Sequence, residues 1–341
     1  MSQLTIALDI MGGDHGPPAI LAASIKAIQS NPQHRFILCG DEAFIRPKLD
    51  HLSAVQRSRV SIEHCEQVVE MGEKPTHALR NKKKSSMRRI LELVSEQKAS
   101  ACVTAGNTGA LLAMAYYVVK TLPGIDRPAL VSAMPTASHH RVFLLDLGAN
   151  VNCDSEALFQ YGVMGSVLAE QSTHVANPRV ALLNVGEEDI KGNAQVKYAD
   201  QLFRNAENIN YIGYVEGHDI FTDVADVVVT DGFTGNVALK SSEGLAKLII
   251  NEVKRVSQLN WYTKVLSKIS LPILKSIYNR VNPDQYNGAS LLGLRGIVVK
   301  SHGNASADAF YYAVLQAIQE AEMQVPNKIK TKIEQVLLEH Q

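Results

Sequence analysis

The feature that most constrains the fold is a pattern that recurs six times: a short apolar, β-branched run, a loop of Gly, Asn, Asp or Thr, and then a helical pattern. The apolar runs cover residues 4–9, 101–104, 142–146, 180–184, 226–230 and 297–300. Continuous apolar strands that alternate with helices are typical of a mostly parallel sheet covered on both faces. We therefore predict an α/β fold in which residues 1–341 form a single unit.

The six polar loops are the candidate functional elements because each of them follows a strand. In open α/β sheets, ligands bind beyond the carboxyl ends of the strands. Backbone N–H groups at a helix N-terminus suit an anion. We therefore expect the loops to meet at one edge of the sheet and to form an anion-binding site there.

The sequence contains no familiar nucleotide, hydrolase or metal motif. It has no G-x-x-x-x-G-K-[ST], no G-x-G-x-x-G after the first strand and no G-x-S-x-G, which are the signatures of a P-loop, a dinucleotide site and a serine hydrolase. The cysteines Cys39, Cys65, Cys102 and Cys153 lack C-x-x-C spacing and fit a reducing cytoplasm. We expect neither a metal nor a cofactor.

Lys191 is a candidate for an anion contact. It follows three carboxylates and precedes Gly192 and Asn193 in one of the loops. One interpretation is a phosphate-binding cation beside backbone N–H donors. The other is a solvated lysine at the start of a helix.

The densest positive charge lies in residues 80–89. A charge run is usually a solvated face, but two serines and a helix start within this one also suit an anion or an acidic protein. The residues concerned are Arg80, Lys82, Lys83, Lys84, Ser85, Ser86, Arg88 and Arg89.

The acidic residues of the loops also have two interpretations. Asp14 and His15 form either an acid–base or metal-ligand pair, or a pair that fixes its loop by hydrogen bonds. Asp146 and Asp231 each end a strand, where an aspartate caps the next helix or positions polar groups at a reacting centre.

Residues 243–286 depart from the alternation, since they show no strand pattern and contain the only tryptophan, Trp261. Apolar residues recur at helical spacing from Leu245 to Val281, with lysines between them, as expected where a helix meets an interface or anionic lipid. Pro272 predicts two short helices in place of one long helix. We predict a projection that contributes a dimer contact and a membrane-touching tip. The alternative is a helix pair buried against the partner subunit.

Charge and hydropathy argue against two classes of protein. The 34 Lys and Arg residues balance 34 Asp and Glu residues, so a nucleic-acid-binding surface is not expected. The longest apolar stretch, residues 110–119, is far shorter than the roughly 20 residues of a membrane span. We expect a cytoplasmic protein that at most touches a membrane from outside.

Together the loops resemble the PlsX family, the acyl-ACP:phosphate acyltransferases of bacterial phospholipid synthesis. The matching stretches follow one another along nearly the whole chain. They are ALDIMGGDHGP (7–17), KKSS (83–86), TAGNTGA (104–110), DLGAN (146–150), VGEEDIKGN (185–193) and TDGFTGN (230–236). Ile10 and Asn152 depart from the family pattern, in which a small residue and an aspartate are expected.

The resemblance implies a Rossmann-like core similar to isocitrate and isopropylmalate dehydrogenases and to phosphotransacetylases, with a helical projection and no metal. It implies a homodimer that uses inorganic phosphate and a long-chain acyl group carried by acyl carrier protein. The acyl phosphate would pass to a membrane-bound glycerol-3-phosphate acyltransferase of the PlsY type. A peripheral association with the inner face of the cell membrane is therefore implied as well.

On this basis we assign three groups of site residues. Catalysis is assigned to Asn107, Lys191, Asn193 and Asn236. Substrate and phosphate binding are assigned to Asp14, His15, Lys83, Ser85, Ser86, Gly106, Thr108, Gly109, Asp146, Asn150, Asp231 and Gly235. Binding of the carrier protein is assigned to Arg80, Lys82, Lys84, Arg88 and Arg89.

Phosphate is already nucleophilic near neutral pH, so acyl transfer from a thioester needs positioning and oxyanion stabilisation more than a protein nucleophile. Two alternatives remain. A dehydrogenase of the isopropylmalate type would need a metal-binding aspartate cluster and an adenosine pocket, and the sequence displays neither. A non-catalytic scaffold would bind the carrier protein or a membrane surface without turnover.

Overall fold

The computed structural model describes residues 3–138 and 140–339. Within these residues, eleven strands form one open sheet. The strands are β1 (Thr5–Asp9), β2 (Arg35–Gly40), β3 (Val60–His64), β4 (Ala101–Thr104), β5 (Ala129–Pro135), β6 (Arg141–Leu145), β7 (Val180–Leu183), β8 (Tyr211–Val215), β9 (Val227–Val229), β10 (Ala289–Leu292) and β11 (Ile297–Lys300).

The same residues form thirteen α-helices, which alternate with the strands over much of the chain. They are α1 (Gly16–Ser30), α2 (Glu42–Ile45), α3 (Ala54–Arg57), α4 (Pro75–Asn81), α5 (Ser86–Ser95), α6 (Thr108–Val118), α7 (Ser155–Thr173), α8 (Ala194–Arg204), α9 (Gly232–Ser257), α10 (Trp261–Ile269), α11 (Leu271–Val281), α12 (Ala307–Met323) and α13 (Val325–Glu339).

The strand order is β3-β2-β1-β4-β11-β10-β5-β6-β9-β7-β8. Seven of the ten neighbouring pairs are parallel, so the predicted mostly parallel α/β sheet is confirmed. The three antiparallel pairs lie together in the middle, where β10 pairs with β11 and β5, and β5 pairs with β6.

These three reversals divide the sheet into two halves of opposite direction. The first half holds β3, β2, β1, β4 and β11, and the second holds β6, β9, β7 and β8. The loops after β1, β4 and β11 therefore leave one edge of the sheet, and those after β6, β7 and β9 leave the other. The expectation that all six loops meet at one edge is therefore wrong. The sequence of a strand and its loop does not show whether that strand runs parallel or antiparallel to a distant strand.

Helices cover both faces of the sheet and bury its apolar strands. In the first half, α1 and α12 pack on one face, where Ile20 and Phe310 meet Leu8 and Val299. Helices α5 and α6 pack on the opposite face. In the second half, α7, α8 and α13 supply residues such as Tyr161, which is fully buried. Because helices cover both faces, the strands are buried on both sides and their sequences are continuous apolar runs.

Helices α9 to α11 cover the region without a strand pattern. Helix α9 begins at Gly232 and continues to Ser257. Pro272 lies in the first turn of α11, where its missing N–H costs little, so the predicted division into two short helices is confirmed. The sequence pattern of residues 327–340 predicts an amphipathic helix. The structure has a helix over Val325–Glu339, and His340 lies outside the described residues.

Candidate active site

A polar cavity of about 350 Å³ lies over the central strands, where the two halves of the sheet meet. Ser132 of β5, Ala289 of β10 and Lys300 of β11 contribute to its floor. Thr108, at the start of α6, and Asn236, in the second turn of α9, face it from the sides. A change of strand direction is a common place for a ligand site in open α/β sheets.

Lys300 is the most unusual residue in this lining. It ends a strand whose four residues are all buried, and only 7% of its surface is exposed. Its ammonium donates to the carbonyl oxygens of Ala105, at 3.4 Å, and Ser301. Burial lowers the pKa of Lys300 to about 8, an effect that the charges of Asp14 and Asp9 oppose.

The loop after β11 is held in place by the side chain of Asn287. The buried Asn287 amide donates to the Ser301 hydroxyl at 2.8 Å and accepts a hydrogen bond from the His302 N–H at 3.0 Å. The Ser301 N–H donates to the Thr104 carbonyl at 2.8 Å. These bonds fix the backbone at the point where Lys300, Ser301 and His302 enter the cavity.

A second cavity, of about 620 Å³, adjoins the polar one and is largely apolar. It lies between α9, α11 and the end of β5, and its apolar side chains include Met134, Leu245, Ala246, Ile249 and Ile277. Four residues line both cavities: Ser132, Leu239, Tyr286 and His302. The two cavities are therefore neighbours that share a wall, one polar and the other apolar.

His302 marks the boundary between the two cavities. Its Nε2 lies 3.0 Å from Oε1 of Glu243, a residue of α9 that lines the apolar cavity. Burial alone would raise the pKa of Glu243, but the hydrogen bond and charge of His302 hold that pKa below its ordinary value. The pair connects the loop after β11 to α9 and orients the imidazole at the junction.

Two of the predicted site residues, Thr108 and Asn236, line the polar cavity. They come from the two halves of the sheet, since α6 follows β4 and α9 follows β9. Thr108 begins α6, whose N-cap is Asn107, so the positive end of that helix dipole points toward the cavity. The side chain of Asn236 lies against Gly148, which is also in the lining.

The side chains of Asp146 and Asn150 form hydrogen bonds that hold the loop after β6 in place. The buried Asp146 carboxylate accepts hydrogen bonds from the N–H groups of Leu130, Gly148, Ala149 and Asn150, at 2.7–3.2 Å. The Asn150 side chain donates to Asp146 at 2.9 Å and to the Pro128 carbonyl at 2.8 Å. These bonds support the interpretation that Asp146 organises its loop.

Other predicted residues are helix caps or close packing points. Asn107 caps α6 and donates to the carbonyls of Met71 and Glu73, at 2.7 and 2.9 Å. Asp231 caps α9 by accepting from the Thr234 N–H at 2.8 Å. A Cβ on Gly235 would collide with the Asp146 carbonyl, so glycine lets the first turn of α9 approach the loop after β6.

Lys191 and Asn193 lie in the loop after β7, outside the polar lining. The Lys191 side chain is 43% exposed and its Nζ lies 2.7 Å from Glu188 Oε2. Asn193 is the exposed N-cap of α8 and accepts from the Val196 N–H at 2.9 Å. These contacts favour the alternative in which Lys191 is a solvated lysine; its catalytic role stays a prediction.

The loop after β1 is tied to the loops after β4 and β11. The Asp14 N–H donates to the Gly303 carbonyl at 2.6 Å, and both Asp14 and His15 are exposed. The Gly106 N–H donates to the Thr104 hydroxyl at 3.0 Å. Gly109 packs on Pro75, which would lie 2.8 Å from a Cβ at that position.

Of the two predicted serines, Ser85 caps a helix and Ser86 supports a buried carboxyl group. Ser85 caps α5 and donates to the Lys82 carbonyl at 2.7 Å. Ser86 and Thr104 hydrogen bond to Asp9, the last residue of β1. Burial raises the pKa of Asp9 against the lowering effect of these hydrogen bonds.

Carboxylates neutralise much of the basic run. Lys84 pairs with Glu66, Arg88 with Glu92, and Arg89 with Glu63 and Glu96, at distances of 2.8–3.3 Å. Lys82 is 3.9 Å from Glu73. Arg80 and Lys83 are exposed. The run is therefore a mixed-charge surface whose positive excess is smaller than the sequence alone indicates.

Within residues 3–138 and 140–339, no group of three or more His, Cys, Asp or Glu side chains is placed to hold a metal ion. The same part of the chain contains no helix that is both long and apolar enough to span a membrane.

Sequence reasoning missed the residues that give the cavity its charge and shape, namely Lys240, Tyr286, Asn287, Lys300, Ser301 and His302. One signal was available, because Lys300 is a charged residue at the end of the apolar run Ile297–Lys300. A lysine is almost never fully buried without a partner, so its position in a strand pattern marks it as unusual. Tyr286 and Asn287 have no comparably unusual feature in the sequence around them.

Comparison with known proteins assigns the chain to a family. It matches the family described as "Fatty acid synthesis protein" over residues 4–328. The phosphate acyltransferase of Pseudoalteromonas atlantica is 58% identical, and that of Shewanella sp. strain MR-4 is 50% identical; each match covers 99% of both proteins.

Solved structures with the same fold include a phosphotransacetylase from Streptococcus pyogenes, with a TM-score of 0.62 and 16% identity. The EutD phosphotransacetylase from Staphylococcus aureus has a TM-score of 0.60 and 17% identity. Each comparison covers 94% of both chains. The predicted similarity to the phosphotransacetylase fold is confirmed.

Proposed function

The chain belongs to the phosphate acyltransferase family, and we propose that it moves a long-chain acyl group from acyl carrier protein to inorganic phosphate. As a family member it is an acyltransferase that uses phosphate, which favours this function over the dehydrogenase and scaffold alternatives. The acyl donor and the fate of the product belong to the proposal. The acyl phosphate would then serve a membrane-bound glycerol-3-phosphate acyltransferase of the PlsY type in phospholipid synthesis.

The observation that carries this proposal is that the polar and apolar cavities adjoin and share four lining residues. An acyl thioester has an apolar chain and a polar reacting group, and the two cavities offer matching surroundings on either side of His302. Each buried CH₂ group contributes about 0.8 kcal/mol, so a long chain gains more from the apolar cavity than a short one. The volume of about 620 Å³ falls in the range of small-molecule sites.

The reaction follows from this placement. A phosphate oxygen in the polar cavity attacks the carbonyl carbon at the junction, the carbon–sulfur bond breaks, and the thiolate of the carrier leaves. Holding the two reactants in contact can supply about 7–11 kcal/mol in favourable cases. No nucleophilic side chain is consumed, which is consistent with the absence of a serine hydrolase motif.

His302 is our candidate donor to the carbonyl oxygen as it becomes negative. Glu243 accepts from Nε2 and orients the imidazole, and in the charged imidazolium form Nδ1 would donate to the oxyanion. One such donor is typically worth about 3–4 kcal/mol of transition-state stabilisation. Thr108 and Asn236 lie on the phosphate side of the junction and can donate to the nucleophile.

A carrier protein can approach over the basic run. Helix α4 ends at Asn81, beside Arg80, and Pro75 at its start packs on Gly109 in the first turn of α6. The exposed Arg80 lies at the other end of α4 from this contact, and the exposed Lys83 follows two residues after α4 ends. An acidic carrier would be steered to this surface, with the strongest effect at low salt.

The projection formed by α9 to α11 is proposed to serve both dimer and membrane contact. Trp261, Ile269 and Ile273 are 75%, 72% and 66% exposed in the single chain, and Lys264, Lys268 and Lys275 lie among them. We assign the tip to the inner membrane surface and the earlier part of α9 to a homodimer contact. The double variant Leu266→Glu/Ile269→Glu should sediment less with anionic liposomes and remain dimeric; a monomeric or unfolded variant would refute the membrane role.

An obstruction in the apolar cavity tests the proposed donor. Ala246→Phe places a ring among the cavity side chains, whereas Ser241→Phe adds the same ring on the exposed side of α9. With acyl-ACP donors of increasing length, Ala246→Phe should lose activity with palmitoyl-ACP by about tenfold or more and retain activity with hexanoyl-ACP. Equal losses with both donors, or equal effects of both variants, would contradict the placement of the chain.

A further inference from the structure

We infer that Lys300 is the cation that binds the phosphate substrate, with Thr108 and Asn236 as neighbouring donors. The inference rests on the proposed function, because it names the group that holds the nucleophile of that reaction. It assigns this role to a residue outside the motifs that carry the family resemblance.

The first argument is the burial of a charge without a close counter-ion. Lys300 is 7% exposed, and its ammonium donates to two backbone carbonyls, those of Ala105 and Ser301. Among the described residues, the carboxylates that affect it most are Asp9 and Asp14, which act through space without a hydrogen bond to Nζ. A buried cation is costly unless an anion accompanies it.

Neither aspartate replaces that anion. Asp9 accepts from Thr104 at 2.6 Å and from Ser86, and burial raises its pKa, which disfavours the charged form. Asp14 is exposed at the rim, so water screens its charge. With a pKa of about 8, Lys300 is still largely protonated at neutral pH and requires a negative partner from outside the chain.

The second argument is the chemistry of the polar cavity. Among the described residues, its lining contains two lysines, Lys300 and Lys240, and no aspartate or glutamate. It also contains the Thr108 end of α6, an eleven-residue helix, and the side chains of Asn236 and Ser301. The positive end of a helix, hydrogen-bond donors and a buried ammonium together favour an oxyanion of high charge.

The third argument is the position of Lys300 relative to the reaction. Lys300 and Ser301 line only the polar cavity, whereas His302, two residues along the loop, lines both cavities. An anion on Lys300 would therefore lie beside the junction at which the thioester carbonyl is proposed to sit. The ammonium binds the nucleophile, and His302 faces the electrophile.

The experiment uses three variants and inorganic phosphate as the probe. Lys300→Met removes the charge while keeping an unbranched chain, and Lys300→Gln keeps an uncharged polar group in case the methionine variant fails to fold. Lys98→Met is the matched control, since Lys98 is an exposed lysine that pairs with Glu96 at 2.8 Å. Thermal unfolding is followed in phosphate and in chloride of equal ionic strength, and KM values for phosphate and palmitoyl-ACP are measured in parallel.

We expect phosphate to raise the melting temperature of the wild type and of Lys98→Met, and to have little effect on either Lys300 variant. The KM for phosphate should rise about 10- to 100-fold in the Lys300 variants, with the KM for palmitoyl-ACP changed by less than about threefold. A Lys300 variant with normal phosphate KM and normal stabilisation by phosphate would overturn the inference and leave the acyltransferase proposal intact. A different outcome is that phosphate stabilises the wild type and not the Lys300 variants, but the wild type turns over no acyl-ACP. That outcome would support the anion site and overturn the proposed acyl donor.

Discussion

Lys300 ends the buried strand β11, whereas Lys191 lies in the loop after β7, in the opposite half of the sheet. The Lys191 side chain is 43% exposed and forms an ion pair with Glu188 three residues earlier. Lys300 is buried, and among the described residues its ammonium forms hydrogen bonds only with backbone carbonyls; it faces the polar cavity. The same residue type beyond or at the end of a strand therefore has different chemistry, because its surroundings determine whether a carboxylate already neutralises the charge.

The loops around these lysines differ in the same way. In the second half of the sheet, Asp146, Asp231 and Asn193 use their side chains to bind N–H groups of their own loops and helices. In the first half, the loop after β11 presents Lys300, Ser301 and His302 to the cavity. A loop whose polar side chains bond to its own backbone stabilises the fold. A loop whose polar side chains point into a cavity can bind a ligand.

The largest expected effect comes from His302→Ala. If this imidazole stabilises the oxyanion, kcat should fall by about 100- to 1000-fold, with a much smaller change in the KM for phosphate. His218→Ala is the control, because the His218 side chain is 76% exposed and lies in the second half of the sheet. Steady-state kinetics would contradict the assignment if the two variants had similar kcat values.

Asp146→Ala tests the loop after β6 as a structural element. The change leaves four buried or half-buried N–H groups without their acceptor, so the free energy of unfolding should fall by about 2–4 kcal/mol. Asp146→Asn retains one carbonyl acceptor and should lose less. Urea unfolding of both variants decides the point; full stability combined with lost activity would instead make Asp146 a site residue.

Lys300→Met should increase stability in the absence of phosphate, by roughly 1–3 kcal/mol at pH 7. The folded-state pKa of Lys300, about 8, lies below the ordinary lysine value of 10.5, so the unfolded state binds more protons between these values. The cost of burying the charge is thus fully present below about pH 8 and disappears as the pH approaches about 10.5. Chemical unfolding at pH 7 and pH 9.5 should show a smaller advantage of the variant at the higher pH; a variant less stable than wild type at pH 7 would indicate a structural lysine.

Lys191→Met should have the smallest effect. An exposed ion pair contributes about 0.2–1 kcal/mol, so stability should change little and the KM for phosphate by less than about fivefold. The measurement is the same phosphate titration used for the Lys300 variants. A larger rise in KM than that of Lys300→Met would reverse the comparison and restore Lys191 as the main phosphate contact.

The sequence predicted the α/β fold well because each strand and helix is encoded locally. Runs such as Val227–Val229 are buried on both faces, and caps such as Asp231 and Asn193 lie where the pattern of polar residues placed helix starts. The direction of each strand is not encoded locally. Two of the three antiparallel pairings, β10 with β11 and β5 with β6, join strands that are neighbours in the chain. The third, β10 with β5, joins residues more than 150 positions apart, and this long-range pairing sets how the two halves of the sheet are oriented.

The site was only partly predictable for the same reason. Thr108 and Asn236 were found because motifs around them matched a family, and both line the polar cavity. Asn107 and Asp146 were selected by the same motifs, yet their side chains bond to neighbouring loops. A motif identifies residues that the fold requires together with residues that face the ligand, and only the three-dimensional contacts separate the two groups.

We propose that the space between the two halves is where an acyl group passes from a carrier thioester to phosphate. The most direct measurement is the release of carrier thiol from palmitoyl-ACP with and without inorganic phosphate, with hydroxylamine trapping of the acyl phosphate in the same samples. We predict that thiol release depends on phosphate and that acyl phosphate forms in equal amount. Thiol release at the same rate in phosphate-free buffer would indicate hydrolysis, and binding of palmitoyl-ACP without any thiol release would indicate a scaffold; either result would contradict the account.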